Sequence, residues 1–280
     1  MPTLLLCGHG YLGQAISRDF ITGGWDVTAI SREGDPDATP PEVSCDLSSA
    51  EQVAALNVSP DFIVHCASSG RGGADAYRAV YLEGCRYLLQ RFPGIPLLFT
   101  SSTSVYAQTD GSEVTEESLA DPDRETGKIL RETEELVLSH GGIVTRLAGI
   151  YGPQRSVILK KFLRGESVIE EDGRRYLNQI HRDDAASAVF HLAWTAAGRK
   201  SSEIYNIADS NPLSQLDCFK RLSELFLRPL PSSGPRDPDR KRGWTHKRVS
   251  NAKLRATGWQ PAYPSFPDAA PGIAKDLDLS

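Results

Sequence analysis

Three glycines near the start of the chain are spaced to hold a phosphate group. Gly8, Gly10 and Gly13 form a G-x-G-x-x-G pattern between a short apolar run and a helical pattern. In such a pattern the first glycine makes a tight turn, the second lets the backbone approach a pyrophosphate, and the third lets the helix pack closely on a strand. The predicted helix begins at Leu12, directly after Tyr11, and its N-terminus then faces the anion. The pattern therefore predicts a dinucleotide-binding turn.

The end of the second apolar run indicates which dinucleotide binds. Enzymes that use NAD(H) place an acidic residue about 20 residues after the turn, on the ribose 2′-hydroxyl. This chain has Ser31 and Arg32 there, followed by Glu33. A hydroxyl and a guanidinium suit a 2′-phosphate better than a carboxylate does, so we expect NADP(H). NAD(H), with Glu33 on the ribose, is the alternative.

Alternating strands and helices must position these residues. Apolar runs predict strands at Thr3–Cys7, Trp25–Ile30, Phe62–Cys66, Leu97–Thr100, Gly142–Leu147 and Glu203–Ile207. Periodic patterns predict helices at Leu12–Ile21, Ala50–Leu56, Ala74–Phe92, Gly127–Ser139, Asp183–Ala196 and Leu213–Leu227. This alternation predicts an α/β fold of the Rossmann type, in which helices cover both faces of a doubly wound parallel sheet.

The regular alternation ends near residue 152, which predicts a second, smaller lobe. We expect residues 1–152 plus about 180–209 to form the dinucleotide-binding Rossmann domain. Residues from about 153–179 plus 210–280 are then the small C-terminal substrate lobe. Asp183 or Asp184 is expected to cap its helix, and residues 228–248 are predicted to be a long loop.

Composition and charge exclude several classes of protein. Of the 280 residues, 40% are hydrophobic and 24% are charged, which is typical of a globular chain with a substantial core. The net charge of −5 argues against nucleic-acid binding, and no apolar run approaches the ~20 residues that span a membrane. The first residues lack the basic segment of a signal peptide. The five cysteines lack C-x-x-C spacing, so we expect no metal site and reduced thiols in a cytoplasmic protein.

Several further motifs follow one another in an order that resembles a known family. They are Cys45–Leu47, Val64–Ser68, Thr100–Tyr106, Arg146–Pro153, Ile180–Asp184 and Ile204–Ile207. Together with the glycine turn they resemble the extended short-chain dehydrogenases, the NAD-dependent epimerase/dehydratase family, almost from end to end. The resemblance implies a nicotinamide cofactor and hydride transfer on a small polar carbonyl or sugar-type substrate.

The resemblance also assigns cofactor contacts to particular positions. Asp46 and Leu47 would lie beside the adenine, as the corresponding family residues do. The backbone of Cys66, Ala67 and Ser68 would contact the adenosine ribose and the pyrophosphate.

The chain departs from the family at the residue that moves a proton. Family enzymes combine a Ser or Thr with a Y-x-x-x-K pair, whose tyrosine transfers the proton and whose lysine binds the ribose. Ser102 and Lys128 occupy the serine and lysine positions, but residue 124 is arginine. Arginine does not deprotonate in proteins and cannot replace the tyrosine as an acid or base.

Three interpretations of this departure stay open. In the first, Tyr81 is a surrogate proton donor, since it stands where the family usually has an asparagine on a helix beside the active site; its alternative role is that of a core or interface aromatic. In the second, substrate hydroxyls or a water relay the proton through Ser102 and Lys128. In the third, the protein is a non-catalytic NADP(H)-binding sensor that acts through a partner.

Three residues are candidates for contact with a small-molecule substrate, which we expect to carry an anionic group. Arg71 lies in a glycine-rich segment and could reach an anion, and Thr103 follows Ser102. Arg155 follows the Tyr-Gly-Pro motif, where relatives often hold a phosphate or carboxylate. The resemblance further implies a homodimer formed through the helices Ala74–Phe92 and Gly127–Ser139, although their apolar stripes could equally face the sheet.

Overall fold

A computed structural model of the chain describes residues 1–70, 72–196, 201–236 and 245–278. The strands, in chain order, are β1 (Thr3–Cys7), β2 (Asp26–Ser31), β3 (Glu42–Ser44), β4 (Phe62–His65), β5 (Leu97–Ser102), β6 (Glu113–Val114), β7 (Ile143–Leu147), β8 (Gly149–Tyr151), β9 (Ile169–Glu170), β10 (Tyr176–Leu177), β11 (Gln179–His181), β12 (Glu203–Ile207), β13 (Leu213–Ser214), β14 (Ser233–Gly234) and β15 (Arg248–Val249). The α-helices are α1 (Tyr11–Thr22), α2 (Ala50–Ala54), α3 (Ala74–Tyr77), α4 (Gly84–Arg91), α5 (Glu125–Ser139), α6 (Val157–Leu163), α7 (Arg182–Ala196), α8 (Gln215–Phe226), α9 (Ala252–Ala256) and α10 (Phe266–Ala274).

Within the described residues, seven strands form one sheet in the order β12-β7-β5-β4-β1-β2-β3. Strand β1 pairs in parallel with β2 on one side and β4 on the other, and β2–β3 and β4–β5 are also parallel. The residues of β1 and β4 are buried on both faces, as expected when helices cover a parallel sheet on both sides. The predicted doubly wound Rossmann-type sheet is confirmed.

The strand order reverses between β1 and β4. The chain goes from β1 outward through β2 and β3, then crosses back to continue with β4 on the other side of β1. Ligands of such sheets bind outside the carboxyl ends of the strands at this switch point. The glycine turn follows β1, and Cys66–Ser68 follow β4, so both segments flank this crevice.

Several predicted elements differ in detail from the structure. The predicted helix Ala74–Phe92 is interrupted by a π-helix at Arg78–Glu83, between α3 and α4. Helix α7 begins at Arg182, so Asp183 and Asp184 lie inside its first turn and the prediction that either caps it is wrong. The carboxylate of Asp184 instead accepts backbone N–H bonds from Ala262 and Tyr263 (2.8 and 3.0 Å). The segment predicted as a long loop contains β14 and the start of β15.

The described chain divides into two compact units. Unit 1 consists of Met1–Val105, Leu119–Arg146 and Ala186–Tyr205, and unit 2 of Tyr106–Ser118, Leu147–Ala185 and Asn206–Ser280. In unit 1, the buried side chains of the strands form the core, and Phe20 of α1 packs edge-to-face on Trp25 and Phe190 with ring centroids 5.1 Å apart in both pairs. In unit 2, the core joins α6, α8 and α10 through residues such as Phe162, Phe219 and Phe266. Among the described residues, no helix is long and apolar enough to cross a membrane.

Candidate cofactor and proton-transfer site

The glycine turn leaves open space at one of its three glycines. Gly8 has φ +105°, and a Cβ built on it would lie 2.4 Å from the Cα of Ala67. A Cβ on Gly13 would lie 2.0 Å from the carbonyl oxygen of Gly8. A Cβ on Gly10 meets nothing within 4 Å. Gly8 and Gly13 are therefore required by the packing of the protein itself, whereas the bare backbone of Gly10 borders a space that a ligand can fill.

The first turn of α1 faces that space without a side-chain cap. Gly10 is the N-cap residue, so no side chain accepts a hydrogen bond from the first N–H groups of the helix. The first turn also contains no acidic residue. Uncapped N–H groups and the positive end of the helix dipole form an anion site, and this arrangement fits the pyrophosphate of a dinucleotide.

His9, between the first two glycines, connects the turn to strand β3 and helix α1 through its two ring nitrogens. Its Nδ1 lies 2.6 Å from Oε1 of Glu42 in β3, and its Nε2 lies 3.0 Å from Oγ of Ser17 in α1. Hydrogen bonds from the Ser31 hydroxyl and from His9 hold the pKa of Glu42 below its ordinary value. The Ser31 oxygen in turn accepts the N–H of Gly34 at 2.9 Å.

The residues expected at the adenosine end lie around the carboxyl ends of β2 and β3. Ser31 ends β2, and the exposed Arg32 follows it. Asp46 accepts hydrogen bonds from the hydroxyl and the N–H of Ser48, which lower its pKa, and the charge of Arg32 lowers it further. Leu47 is buried. Arg32 and Asp46 are thus close enough to interact electrostatically at one edge of the sheet.

The segment after β4 lies directly against the glycine turn. The Cys66 thiol donates to the carbonyl oxygen of Gly8 at 3.1 Å, and Ala67 is the residue whose backbone excludes any side chain at Gly8. Ser68 is exposed, and its Oγ accepts the N–H of Gly70 at 3.1 Å. The structure therefore brings Cys66 and Ala67 to the turn, and the exposed Ser68 follows them in the loop after β4.

Tyr81 lies in the π-helix, and its oxygen is held at the loop that follows β4. The oxygen accepts from the N–H of Ser69 at 3.2 Å and from the Ser69 hydroxyl at 3.4 Å. The ring packs edge-on against Tyr77 and His65, with centroids 5.0 and 6.2 Å away. Because Ser69 supplies both of these donors, the phenol keeps its own proton to donate. A π-helical turn is rare and often marks a functional site.

His65 supports the same turn from the end of β4. It is fully buried, and its Nε2–H donates to the carbonyl oxygen of Val80 at 3.0 Å. Burial lowers the pKa of His65 to about 4, so the ring is neutral at ordinary pH. His65 therefore fixes the residue next to Tyr81 with a neutral hydrogen bond.

The expected serine and lysine lie at the end of β5 and the start of α5. Ser102 is the last residue of β5, and its Oγ accepts the N–H of Ser104 at 3.2 Å, while the next residue, Thr103, is buried. Arg124 is the N-cap residue of α5, with extended backbone. Lys128 is exposed in the first turn, where its N–H donates to the carbonyl oxygen of Arg124 at 3.0 Å.

A buried ion cluster anchors α5 to the sheet. Glu134 of α5 is completely buried and accepts the Ser101 hydroxyl at 2.6 Å. It also accepts Nη2 and Nε of Arg146 in β7 at 2.7 and 3.1 Å. Arg131 donates to Glu134 from the same helix. This cluster sets the position of the helix that carries Lys128 against the strand that carries Ser102.

Two of the candidate substrate residues, Arg71 and Arg155, are not among the residues of unit 1 that the structure describes. Arg71 lies outside the described residues. Arg155 belongs to unit 2, in the turn after β8, where its N–H donates to the carbonyl oxygen of Gly152 at 3.0 Å. All the other predicted site residues belong to unit 1.

Three features of this site were not found from the sequence. They are the contact of His9 with Glu42, the π-turn at Tyr81 and the Glu134–Arg146 pair. Arg146 and Glu134 were visible as a motif residue and a polar position in an apolar helix, but nothing in the sequence paired them.

Comparison with known proteins identifies relatives along most of the chain. The model of the NAD dependent epimerase/dehydratase family matches residues 4–208. A proposed NAD-dependent epimerase/dehydratase from Methylobacillus flagellatus has a solved structure that is 26% identical, with a TM-score of 0.79 over 98% of both chains. No curated protein sequence matches.

Two more distant structures share the fold. The UDP-glucose 4-epimerase of Thermotoga maritima, solved with UDP-glucose, is 20% identical with a TM-score of 0.78, covering 98% of this chain and 97% of that one. The human epimerase family protein SDR39U1, solved with NADPH, is 19% identical with a TM-score of 0.79, covering 98% of this chain and 100% of that one.

Proposed function

The chain belongs to the NAD dependent epimerase/dehydratase family, and on that premise we propose that it is an NADP(H)-dependent oxidoreductase or epimerase. Its substrate is a small polar carbonyl or a sugar-type molecule. The bound nicotinamide would accept or deliver the hydride, and the residues of unit 1 would bind the cofactor and handle the proton.

One observation carries the cofactor part of the proposal. Of the three glycines in the turn, only Gly10 has open space where its Cβ would be, and this space meets the uncapped N-terminus of α1. A turn without a ligand has no need of a bare backbone at that point. The feature fits a pyrophosphate that approaches the backbone of Gly10 and the first N–H groups of α1.

The preference for NADP(H) rests on the end of β2. Ser31 and the exposed Arg32 offer a hydroxyl and a cation to a 2′-phosphate. Asp46 and Leu47 would then border the adenine, and Cys66, Ala67 and Ser68 the ribose and pyrophosphate. The relative solved with NADPH supports the assignment, while other relatives solved with NAD keep NAD(H) as the alternative.

For the proton step we propose that Tyr81 acts together with Ser102 and Lys128. Tyr81 accepts two hydrogen bonds from Ser69, which hold its oxygen in place and leave its own hydroxyl proton available to a substrate oxygen. Ser102 would hold the substrate oxygen, and the Lys128 ammonium would bind the ribose and favour proton release. A relay through Ser102 and Lys128 without Tyr81 is the alternative mechanism.

The substrate and assembly complete the proposal. Thr103, Arg71 and Arg155 are candidate contacts for an anionic group such as the diphosphate of a nucleotide sugar, the class of ligand seen in the epimerase solved with UDP-glucose. We further propose a cytoplasmic homodimer, formed through the helices predicted at Ala74–Phe92 and Gly127–Ser139.

A second candidate function is a dinucleotide sensor without turnover. The observation that favours it is Arg124, which caps α5 four residues before Lys128, where family enzymes carry the proton-transferring tyrosine. A sensor would bind NADP(H) as tightly as an enzyme but would leave every carbonyl substrate unreduced.

Titration of the purified protein with NADPH and NADH, followed by nicotinamide fluorescence, tests the cofactor assignment. We expect NADPH to bind more tightly than NADH. Replacing Arg32 with Gln should weaken NADPH by about tenfold, the loss of one charge-assisted contact, and leave NADH unchanged. The matched control is Arg18→Gln, which removes an exposed arginine paired with Asp19 on α1. Failure of both nucleotides to bind would refute the proposed cofactor site. Oxidation of NADPH in the presence of nucleotide-sugar ketones would show turnover and so distinguish an enzyme from a sensor.

A further inference from the structure

The C-terminal end of helix α8, in unit 2, carries an exposed leucine in a strained backbone conformation. Leu227 follows the last residue of α8 with φ 51° and ψ 45°, and it is 93% exposed. Its N–H and that of Arg228 both donate to the carbonyl oxygen of Ser223, which ends the helix. Glycine or asparagine usually occupies such a left-handed position, because a larger side chain is strained there. The exposed Leu227 gains no burial within the chain that could offset this strain.

A small groove in unit 2 begins at the residue after Leu227. It has a volume of about 220 Å³ and is lined by Phe162, Gly165, Ser167 and residues 228–232. The Phe162 ring belongs to the core of unit 2, and Pro229 and Pro231 fix φ along the other wall, so both sides are rigid. Typical small-molecule sites occupy about 300 to 1,000 Å³, so this groove has the size for one apolar side chain of a partner.

The residues around the groove form an apolar surface. Val168, which follows Ser167, is 43% exposed, and Leu230, which lines the groove, is 44% exposed. Leu225, in the last turn of α8, is 49% exposed. Single exposed apolar residues are common, but a group of them beside a groove is typical of an interaction surface. Leu227 and these three residues therefore indicate that unit 2 binds a partner at this surface.

The charged residues of this surface indicate what the partner is. Glu224 and Arg228 are both exposed, and neither forms an ion pair with any described residue. An acid and a base side by side are complementary to the same pair after a rotation of 180°. A two-fold axis between two copies brings Glu224 of one copy to Arg228 of the other, and the reverse contact forms at the same time. The surface is thus complementary in charge to itself.

We propose that the surface formed by residues 224–232, Val168 and the groove binds a second copy of this chain. Leu227 of each copy fills the groove of the other, and Glu224 pairs with Arg228 across the axis. This surface belongs to unit 2, whereas the helices expected to form the homodimer belong to unit 1, and it does not involve the cofactor. A chain that uses both surfaces assembles beyond a dimer.

Sedimentation velocity of the full-length protein between about 1 µM and 100 µM tests the role of Leu227. Leu227→Asn should raise the concentration of half-maximal association at least about tenfold, the effect of losing a central apolar anchor. Because asparagine tolerates the left-handed conformation, Tm should stay the same or rise. The matched control is Leu119→Asn, which replaces a 75% exposed leucine of unit 1 and should leave association as in wild type. A wild type that stays monomeric throughout, or association that Leu227→Asn leaves unchanged, would overturn the proposal.

Charge reversal distinguishes a second copy from a partner of another kind. Arg228→Glu and Glu224→Arg should each weaken the association step that Leu227→Asn removes at least about tenfold, because like charges then face each other. Mixing the two variants should restore it to within about threefold of wild type, since the two acids of one chain then meet the two bases of the other. Both positions are exposed, and circular dichroism checks that the variants are folded. Two folded variants that do not recover association on mixing would show that Glu224 and Arg228 do not pair across copies.

Discussion

Replacing Glu134 with Gln should destabilise the protein strongly, because the change breaks a fully buried ion cluster. The Glu134 side chain has no exposed surface, and its partner Arg146 is 2% exposed. Glutamine keeps the size of the side chain and one acceptor oxygen, but it places an NH₂ group against the donors of Arg146 and removes the charge of Glu134 that faces the buried guanidinium.

The size of the expected loss in stability follows from the Arg146 charge, which stays buried in the variant. Removing one partner of a buried pair costs about 3 to 5 kcal/mol, and no solvent screening reduces the effect at this depth. With a urea dependence of about 3 kcal/mol per molar for a chain of this size, the unfolding midpoint should fall by roughly 1 to 1.7 M. The matched control is Glu132→Gln on the exposed side of the same helix, where the carboxylate is 50% exposed and bonds Arg78. That change should cost less than about 1 kcal/mol.

Urea unfolding followed by tryptophan fluorescence and circular dichroism measures both variants. A loss of less than about 1 kcal/mol in Glu134→Gln would refute the assignment of Glu134 as the anchor of α5. The apolar double variant, Glu134→Leu with Arg146→Met, gives an independent check. It should be more stable than Glu134→Gln, because removing both charges leaves neither one buried alone.

Three further predictions concern the turn, the proton donor and a buried acid. Gly10→Ala should change the free energy of unfolding by less than about 1 kcal/mol, yet weaken NADPH binding at least about tenfold. Gly8→Ala should instead lose about 2 to 5 kcal/mol of stability, because Gly8 has a φ of +105° and contacts Ala67. Urea unfolding and NADPH titration distinguish the two variants, and equal stability of both would contradict the geometry. Tyr81→Phe should lower kcat at least about 100-fold with little change in the KM for NADPH, in steady-state assays with any substrate found, and unchanged turnover would eliminate Tyr81 as the proton donor. Burial raises the pKa of Asp209 in unit 2 well above its ordinary value, so the folded state keeps a proton that the unfolded state releases near pH 4. The free energy of unfolding is therefore highest below about pH 4 with respect to this group, and it falls as the pH rises. Asp209→Asn should therefore flatten the decline of the unfolding free energy between about pH 4 and pH 8, and an equally steep decline in the variant would contradict the assignment.

The fold was predictable because its signals are local. The strands predicted at Thr3–Cys7 and Glu203–Ile207 coincide with β1 and β12, and each is a short segment of five consecutive residues. The glycine spacing is likewise a property of six consecutive residues. Such patterns, together with the ordered motifs, were sufficient for the sheet and the family, both of which are confirmed.

The parts of the site that were missed depend on contacts between distant positions. His9 and Glu42 are separated by 33 residues, and Ser101 and Glu134 also by 33. Neither pair has a local pattern, because each forms only after segments that are far apart in the sequence have packed together. The π-turn at Tyr81 could not be predicted from the sequence for a related reason. Its residues have ordinary helical periodicity, and the extra residue per turn is visible only in the backbone hydrogen bonds. The roles of Tyr81, Ser102 and Lys128 stay predictions.

The division of unit 1 into three separate segments has a consequence for synthesis on the ribosome. The first segment, Met1–Val105, already contains β1 to β5 and the whole glycine turn. It lacks Phe190, which packs on Phe20 and lies where a Cβ of Gly23 would be. Because chains emerge at about 5 to 20 residues per second, an early intermediate exposes this aromatic face for several seconds until the last segment emerges. The nascent chain is therefore expected to be a client for chaperones that bind apolar surface, and truncations that end before residue 186 should aggregate although they carry the complete cofactor turn.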